Sequence, residues 1–169
     1  MLDNLLNLVK QHAGDAIINN PAIPNERNDE AVATASSSIF DGLKNAVGNG
    51  NLNDVLNMFT NGGGNSNSGL SQNIQSSFIG NLTDKFGIDQ QAAGGIAESL
   101  IPSVLQNLIS KTNDPNDSSF NLQDIVSKIG GGTNIDLQGI LSNFSGGSNQ
   151  SNTNNTGGLV DSIKGLFGS

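Results

Sequence analysis

The chain contains no cysteine, no tryptophan and no tyrosine, and its one histidine is His12. Without cysteine it forms no disulfide, offers no thiolate nucleophile and builds no Cys-based zinc site. That absence leaves the redox compartment open, because a cysteine-free chain is indifferent to it. Cations are scarce as well. Lys10, Arg27, Lys44, Lys85, Lys111, Lys128 and Lys164 stand against 15 Asp and Glu, for a net charge of −8. Nucleic-acid binding through counterion release needs clustered cations, and these seven are scattered, so no nucleic-acid partner is expected. The same acidity disfavours anionic lipid. No apolar run approaches the length that spans a bilayer. The opening residues, Met1-Leu2-Asp3-Asn4-Leu5-Leu6, lack the basic segment and unbroken apolar stretch of a secretory signal. A cytoplasmic location is therefore expected, and a membrane role is disfavoured.

What the chain does have is Asn, Gly, Ser and Gln in quantity, since apolar residues reach only 34% and charged residues 13%. At 169 residues the length suits one domain. Its apolar residues must be concentrated in segments joined by polar connectors, because an even spread would not offset the ordering entropy. The segments have helical period. Leu2, Leu5, Leu6 and Val9 form one stripe, extended by Ala13, Ala16 and Ile17 until Pro21 and Pro24 stop it. A second helix is expected to begin near Asn25 to Asn28, with Asp29 and Glu30 in its first turn and Val32, Ala35, Ile39, Leu43 and Val47 inward. A short unit follows Asn51 as N-cap, and residues 61–69 read as a connector. Leu70, Ile74, Phe78, Leu82 and Phe86 then recur every four residues.

Gly87 is the expected stop of that helix and Asp89 the N-cap of the next. In the next helix Ala92, Ala93, Ile96 and Leu100 are expected inward, with Gly94 and Gly95 permitting close helix approach. Pro102 lacks a backbone donor, so a kink or a junction is expected there before Val104, Leu105, Leu108 and Ile109 continue the stripe. Lys111 to Phe120 reads as a polar loop. Strand periodicity is poor throughout. The fold class expected is all-α: a compact array of short amphipathic helices with Gly/Asn-rich connectors.

One pattern recurs. Leu52-Asn-Asp-Val55-Leu56-Asn-Met-Phe59 resembles Leu122-Gln-Asp-Ile125-Val126-Ser-Lys-Ile129 and Leu137-Gln-Gly-Ile140-Leu141-Ser-Asn-Phe144, with a degenerate fourth copy over Leu159 to Phe167. Units of two turns are not stable alone, so each must dock on something. Between the last two copies, Ser145 to Thr156 is almost wholly Ser, Asn, Gly and Gln and reads as a disordered tether. The final copy is expected to dock in an apolar groove of its own or a second chain, where it could also act as a removable plug.

The stretch Leu82-Thr-Asp-Lys85-Phe86-Gly87-Ile88-Asp89, then Ala92-Ala93 and Ile96, then Leu100-Ile101-Pro102-Ser103-Val104-Leu105-Gln106-Asn107-Leu108, resembles the YidB-like bacterial family, a domain of unknown function. The units at Leu122 to Gly132 and Leu137 to Gly147 look like that family's C-terminal segments, and Leu5 through Pro21 is similar to N-terminal extensions of some members. The resemblance implies an array of short helices and brings no catalytic residues with it. It divides the chain into residues 1–60 as an N-terminal extension of three helices and 70–147 as a YidB-like core. A flexible tether over 148–157 and a C-terminal amphipathic helix over 158–169 complete it.

Candidate chemistry is thin. His12 lacks a second His, and only Asp15 is near enough in sequence to bond it, so it reads as a surface residue. The run Asn113-Asp114-Pro115-Asn116-Asp117-Ser118-Ser119 hints at a calcium loop, yet a register starting at Asp114 puts Ser119 where Gly is needed and Ile125 where a bidentate acid belongs. Asp29, Glu30 and Glu98 read as helix-start and solvated carboxylates, not as a pair flanking a cleft. Asn81-Leu82-Thr83 and Asn143-Phe144-Ser145 are chance glycosylation triplets in so Asn-rich a chain. Gly62 to Gly64 and Gly130 to Gly132 lack the Lys and strand context of a phosphate loop. No catalytic residue, metal ligand or cofactor is assigned. The expected function is a non-enzymatic interaction or structural protein, self-associating or partnered through apolar helix faces. The alternative is a small-ligand binder or enzyme using a pocket between helices.

Overall fold

Six α-helices account for most of the computed structural model, which describes residues 2–60, 68–117 and 119–130. They are α1 (Leu2–His12), α2 (Asn28–Gly48), α3 (Leu52–Thr60), α4 (Gly69–Phe86), α5 (Gln90–Thr112) and α6 (Leu122–Ile129). No strand occurs among the described residues, so the fold is all-α. The third and fourth copies of the repeat, the tether and the C-terminal helix lie outside them.

The first stripe is rotated from its expected position. α1 turns Leu5, Leu8 and Val9 inward against α2 and α5, whereas Leu2 and Leu6 are 48% and 36% exposed. α1 ends at His12, and Gly14–Ile18 continues as one π turn that keeps Ala13, Ala16 and Ile17 buried. Asn20 closes this segment, donating to the Ala16 carbonyl at 3.1 Å and accepting from the Ala22 N–H at 3.0 Å.

A 3₁₀ turn over Asn25–Arg27 leads into α2, the helix that meets α1, α3, α4 and α6. Its buried side is wider than one stripe: Ala31, Thr34, Ser36, Ser38 and Ala46 are buried beside Val32, Ala35, Ile39 and Leu43, while Val47 is only partly so. Small side chains make this possible, and two of the serine hydroxyls find partners. Ser36 donates to the Val32 carbonyl at 3.0 Å, and Ser38 accepts from Asn81 Nδ2 of α4 at 3.0 Å. Gly42 lets α4 come close, since a Cβ there would collide with the Ile74 side chain. Gly94 and Gly95 do not serve that purpose, for a Cβ at either would meet nothing. The expectation placed the close contact on the wrong helix, because composition shows where approach is allowed but not where a partner lies.

Helix ends follow local chemistry. Ser68 caps α4 by accepting from the Ser71 N–H, Gly87 closes it in the left-handed region at φ 67°, and Asp89 caps α5 by accepting from the Gln91 and Ala92 N–H groups. α5 then runs unbroken through Pro102, so the expected junction is absent. An interior proline costs about 3 kcal/mol or more. Leu100, Ile101, Val104, Leu105 and Leu108 around it are all at most 1% exposed. At roughly 1.5–3 kcal/mol for each fully buried large side chain, their burial outweighs that cost. The carbonyl left without its helical donor is that of Glu98, an exposed residue accessible to water.

Beyond α5, Phe120 of the expected polar loop is 4% exposed and anchors the approach to α6. Core residues from Leu5 to Ile129 belong to one hydrophobic cluster, so α1, α2 and α3 share the interior of α4, α5 and α6. Residues 2–60 contribute to that core.

Candidate functional site

α2 and α4 lie antiparallel, as the pairs Ser38–Asn81 and Gly42–Ile74 show. Toward the C-terminal end of α2 and the N-terminal end of α4, and beside α3, the polypeptide leaves an open cleft of about 760 Å³. Its floor is small or apolar: Gly42, Ala46, Met58 and Leu70. The walls are almost entirely neutral and polar. α2 supplies Asn45 and, just past its end, Asn49. Asn51 and α3 residues Asp54 and Asn57 form the second wall. The third is α4 with its cap, through Ser68, Asn73, Ser76 and Ser77. Among the described lining residues Asp54 is the only charge.

The residues singled out from the sequence are placed elsewhere and are not brought together. His12 is half-buried at the end of α1. Asp29 pairs with Lys10 at 3.1 Å and Glu30 with Arg27 at 2.9 Å. The Arg27 hydrogen bond, with help from the charges of Arg27 and Lys85, holds the Glu30 carboxyl below its ordinary range despite an opposing desolvation. Arg27 also lies over the Phe86 ring, 4.2 Å from its centroid, and so links the start of α2 to the end of α4. The Lys10–Asp29 pair and the Arg27–Phe86 contact are fastenings between helices.

The acidic run after α5 is occupied in the same way. Asp117 accepts from Lys111 Nζ at 2.8 Å and from the Ser119 N–H at 2.9 Å. Those bonds, Lys111 first, lower its pKa to about 2. Asp114 accepts from the Asn116 N–H at 2.9 Å, and Asn113 donates to the Phe59 carbonyl at 2.8 Å. The loop is therefore a brace between α5 and α3, with a lysine where a cation would have to sit. No cluster of three or more metal-ligating side chains occurs among the described residues. No described helix is long and apolar enough to cross a membrane.

The cleft was not read from the sequence. A signal was present: Asn45 and Asn73 sit inside helices at exposed positions, where Asn is a poor helix former. In a chain with Asn throughout, that signal is submerged. No family model, curated protein or solved structure matches this chain.

Proposed function

We propose that this chain is a non-enzymatic interaction or structural protein that self-associates through apolar helix faces. The observation that carries this is the behaviour of the repeated unit. In both described copies, α3 and α6, the second, third and fourth apolar positions are buried: Val55, Leu56 and Phe59, and Ile125, Val126 and Ile129. The first, Leu52 and Leu122, is half-buried, and Leu122 packs against the core. Two further copies, Leu137 to Phe144 and Leu159 to Phe167, have the same need for apolar cover. Lys10, Asp29, Arg27, Glu30, Lys111 and Asp117 are engaged in ion pairs that fasten helices or brace a loop, which supports a non-catalytic reading for them. The resemblance to the YidB-like family belongs to the same proposal and adds no chemistry. A cytoplasmic setting is also part of it, and fractionation of the native cell tests that part.

Sedimentation of the full chain from low to high micromolar concentration is the test. The expected result is a concentration-dependent oligomer, lost when Ile140 and Phe144, or Ile163 and Leu166, are replaced by Asp. A monomer at every concentration overturns the proposal. A second reading, binding of a small ligand between helices, rests on the cleft beside α3.

A further inference from the structure

We propose that Asn49 is a deamidation site gated by the turn between α2 and α3. It reacts only when that turn opens, and its isoaspartyl product keeps the turn from closing again. This is independent of self-association, which sedimentation tests separately.

The sequence supplies the reactive pair. Asn49 is followed by Gly50, one of two Asn-Gly pairs in the chain; the other, Asn61-Gly62, lies outside the described residues. Glycine places no side chain beside its own nitrogen, so nothing crowds that nitrogen as it approaches the Asn49 amide. The Gly50 nitrogen attacks Cγ of Asn49. A new Cγ–N bond forms, the Cγ–Nδ2 bond breaks, and ammonia leaves with the proton of the Gly50 N–H. Water then opens the cyclic imide at one of its two carbonyls. One opening gives aspartate, and the other gives isoaspartate, with the main chain rerouted through Cγ. Both residues are exposed to that water, and the Asn49 side chain makes no hydrogen bond that would hold it away.

The folded backbone withholds the geometry. Ring closure needs the Gly50 nitrogen alongside Cβ of Asn49. At φ −88° and ψ 8° it eclipses the nitrogen of Asn49 instead. Three successive amides fix that conformation. The Asn49 N–H donates to the Asn45 carbonyl at 2.9 Å, the Gly50 N–H to Val47 at 3.1 Å and the Asn51 N–H to Ala46 at 2.8 Å. Gly50, at φ 82°, then carries the chain toward α3, which begins at Leu52. Rotating ψ of Asn49 out of the helical region swings the Gly50 and Asn51 N–H groups off their acceptors. It also displaces the start of a helix that is pinned by buried Val55, Leu56, Met58 and Phe59. The reaction therefore waits on opening of the turn and loosening of α3.

The product does not fit the closed turn. Isoaspartate adds a methylene to the main chain inside the span that the Asn51–Ala46 bond closes. It also adds a negative charge at the C-terminal end of α2, where the helix dipole is already negative, with Asp54 on the neighbouring wall of the cleft.

The experiment incubates the full chain at mildly alkaline pH, folded and in guanidinium chloride, and follows deamidation of Asn49 by peptide mass mapping, which separates it from Asn61. The Asn49 rate is expected to be at least about ten-fold lower in the folded chain, the effect of two hydrogen bonds that must open first. Val55→Ala, which loosens α3, should raise the folded rate several-fold and leave the rate in guanidinium unchanged. Leu52→Ala, at a half-buried position, should do the same to a smaller extent. Isoaspartyl protein isolated from the folded incubation should exchange the amides of residues 50–59 faster than fresh protein. Equal Asn49 rates in the folded and denatured chain overturn the proposal. So does a folded rate that neither variant changes, or isoaspartyl protein whose α3 amides exchange as in the fresh chain.

Discussion

Two helices of this protein are built from one pattern and are held by different surroundings. α3 has Leu52, Val55, Leu56 and Phe59 at the apolar positions, and α6 has Leu122, Ile125, Val126 and Ile129. α3 also buries Met58 and lies against both α2 and α5, with its Phe59 carbonyl bonded by Asn113. α6 buries three side chains, lies chiefly against α2, and is organised from its own start, where Asn121 accepts from the Gln123 N–H. The pattern decides which side of a short helix faces inward. What it meets there decides how firmly it is held.

Substitutions at the equivalent positions Phe59 and Ile129, which are 0% and 2% exposed, test this most strongly. Phe59→Ala is expected to lower stability by about 3–5 kcal/mol and Ile129→Ala by about 2–4 kcal/mol, read from denaturant midpoints. An equal or inverted order would show that α6 is held as firmly as α3. Both helices rest on α2, so disturbing its contact with α4 should weaken the two together. Gly42→Ala forces Ile74 to move and is expected to cost about 1–3 kcal/mol, with faster amide exchange in α3 and α6 alike.

Smaller changes should separate the pair. Asn113→Ala leaves the Phe59 carbonyl without its side-chain donor, and Asn121→Ala removes the cap of α6. Each is expected to cost about 1 kcal/mol. Hydrogen exchange should rise at the end of α3 in the first variant and at the start of α6 in the second. Exchange that rises in both helices in either variant would contradict independent docking.

The loop between α5 and α6 gives a pH test. Asp117 titrates at about 2 in the folded chain, below the ordinary value of about 3.9. A depressed carboxylate stabilises the fold fully above its unfolded pKa and loses that contribution as pH falls through its folded pKa. Stability should therefore decline between about pH 4 and pH 2, and Asp117→Asn should flatten part of that decline while leaving the contribution of Glu30. An unchanged slope in the variant would mean that the Lys111–Asp117 pair is not held in solution. At the bottom of the scale, a chelator is expected to leave the melting temperature unchanged. Asp114 and Asp117 are bonded to their own loop and to Lys111. A fall restored by calcium would make this loop a metal site.

The features legible from the sequence share one property: their causes lie within a few residues. Leu70, Ile74, Phe78 and Leu82 mark a helix face by spacing alone, and all four are buried. Gly87 and Asp89 mark a stop and a start through backbone conformation and capping, and both occupy those roles. The features that were not legible depend on neighbours distant in sequence. Leu2 and Leu6 fit a stripe by spacing, but α2 and α5 meet α1 along Leu5, Leu8 and Val9.

The sequence by itself determined that the chain is helical, where α4 ends and α5 begins, and that a short amphipathic unit recurs. Periodicity and capping are local physics and need no partner to be read. Only the tertiary structure decided that Gly42, and not Gly94 or Gly95, is the point of close approach, because a glycine permits contact without supplying the opposing side chain. It also decided that α5 passes through Pro102, since the burial of five large neighbours outweighs one lost hydrogen bond. The cleft is the same kind of fact. Asn45, Asn51 and Asn73 are polar residues like dozens of others until three helix segments place them around one empty volume.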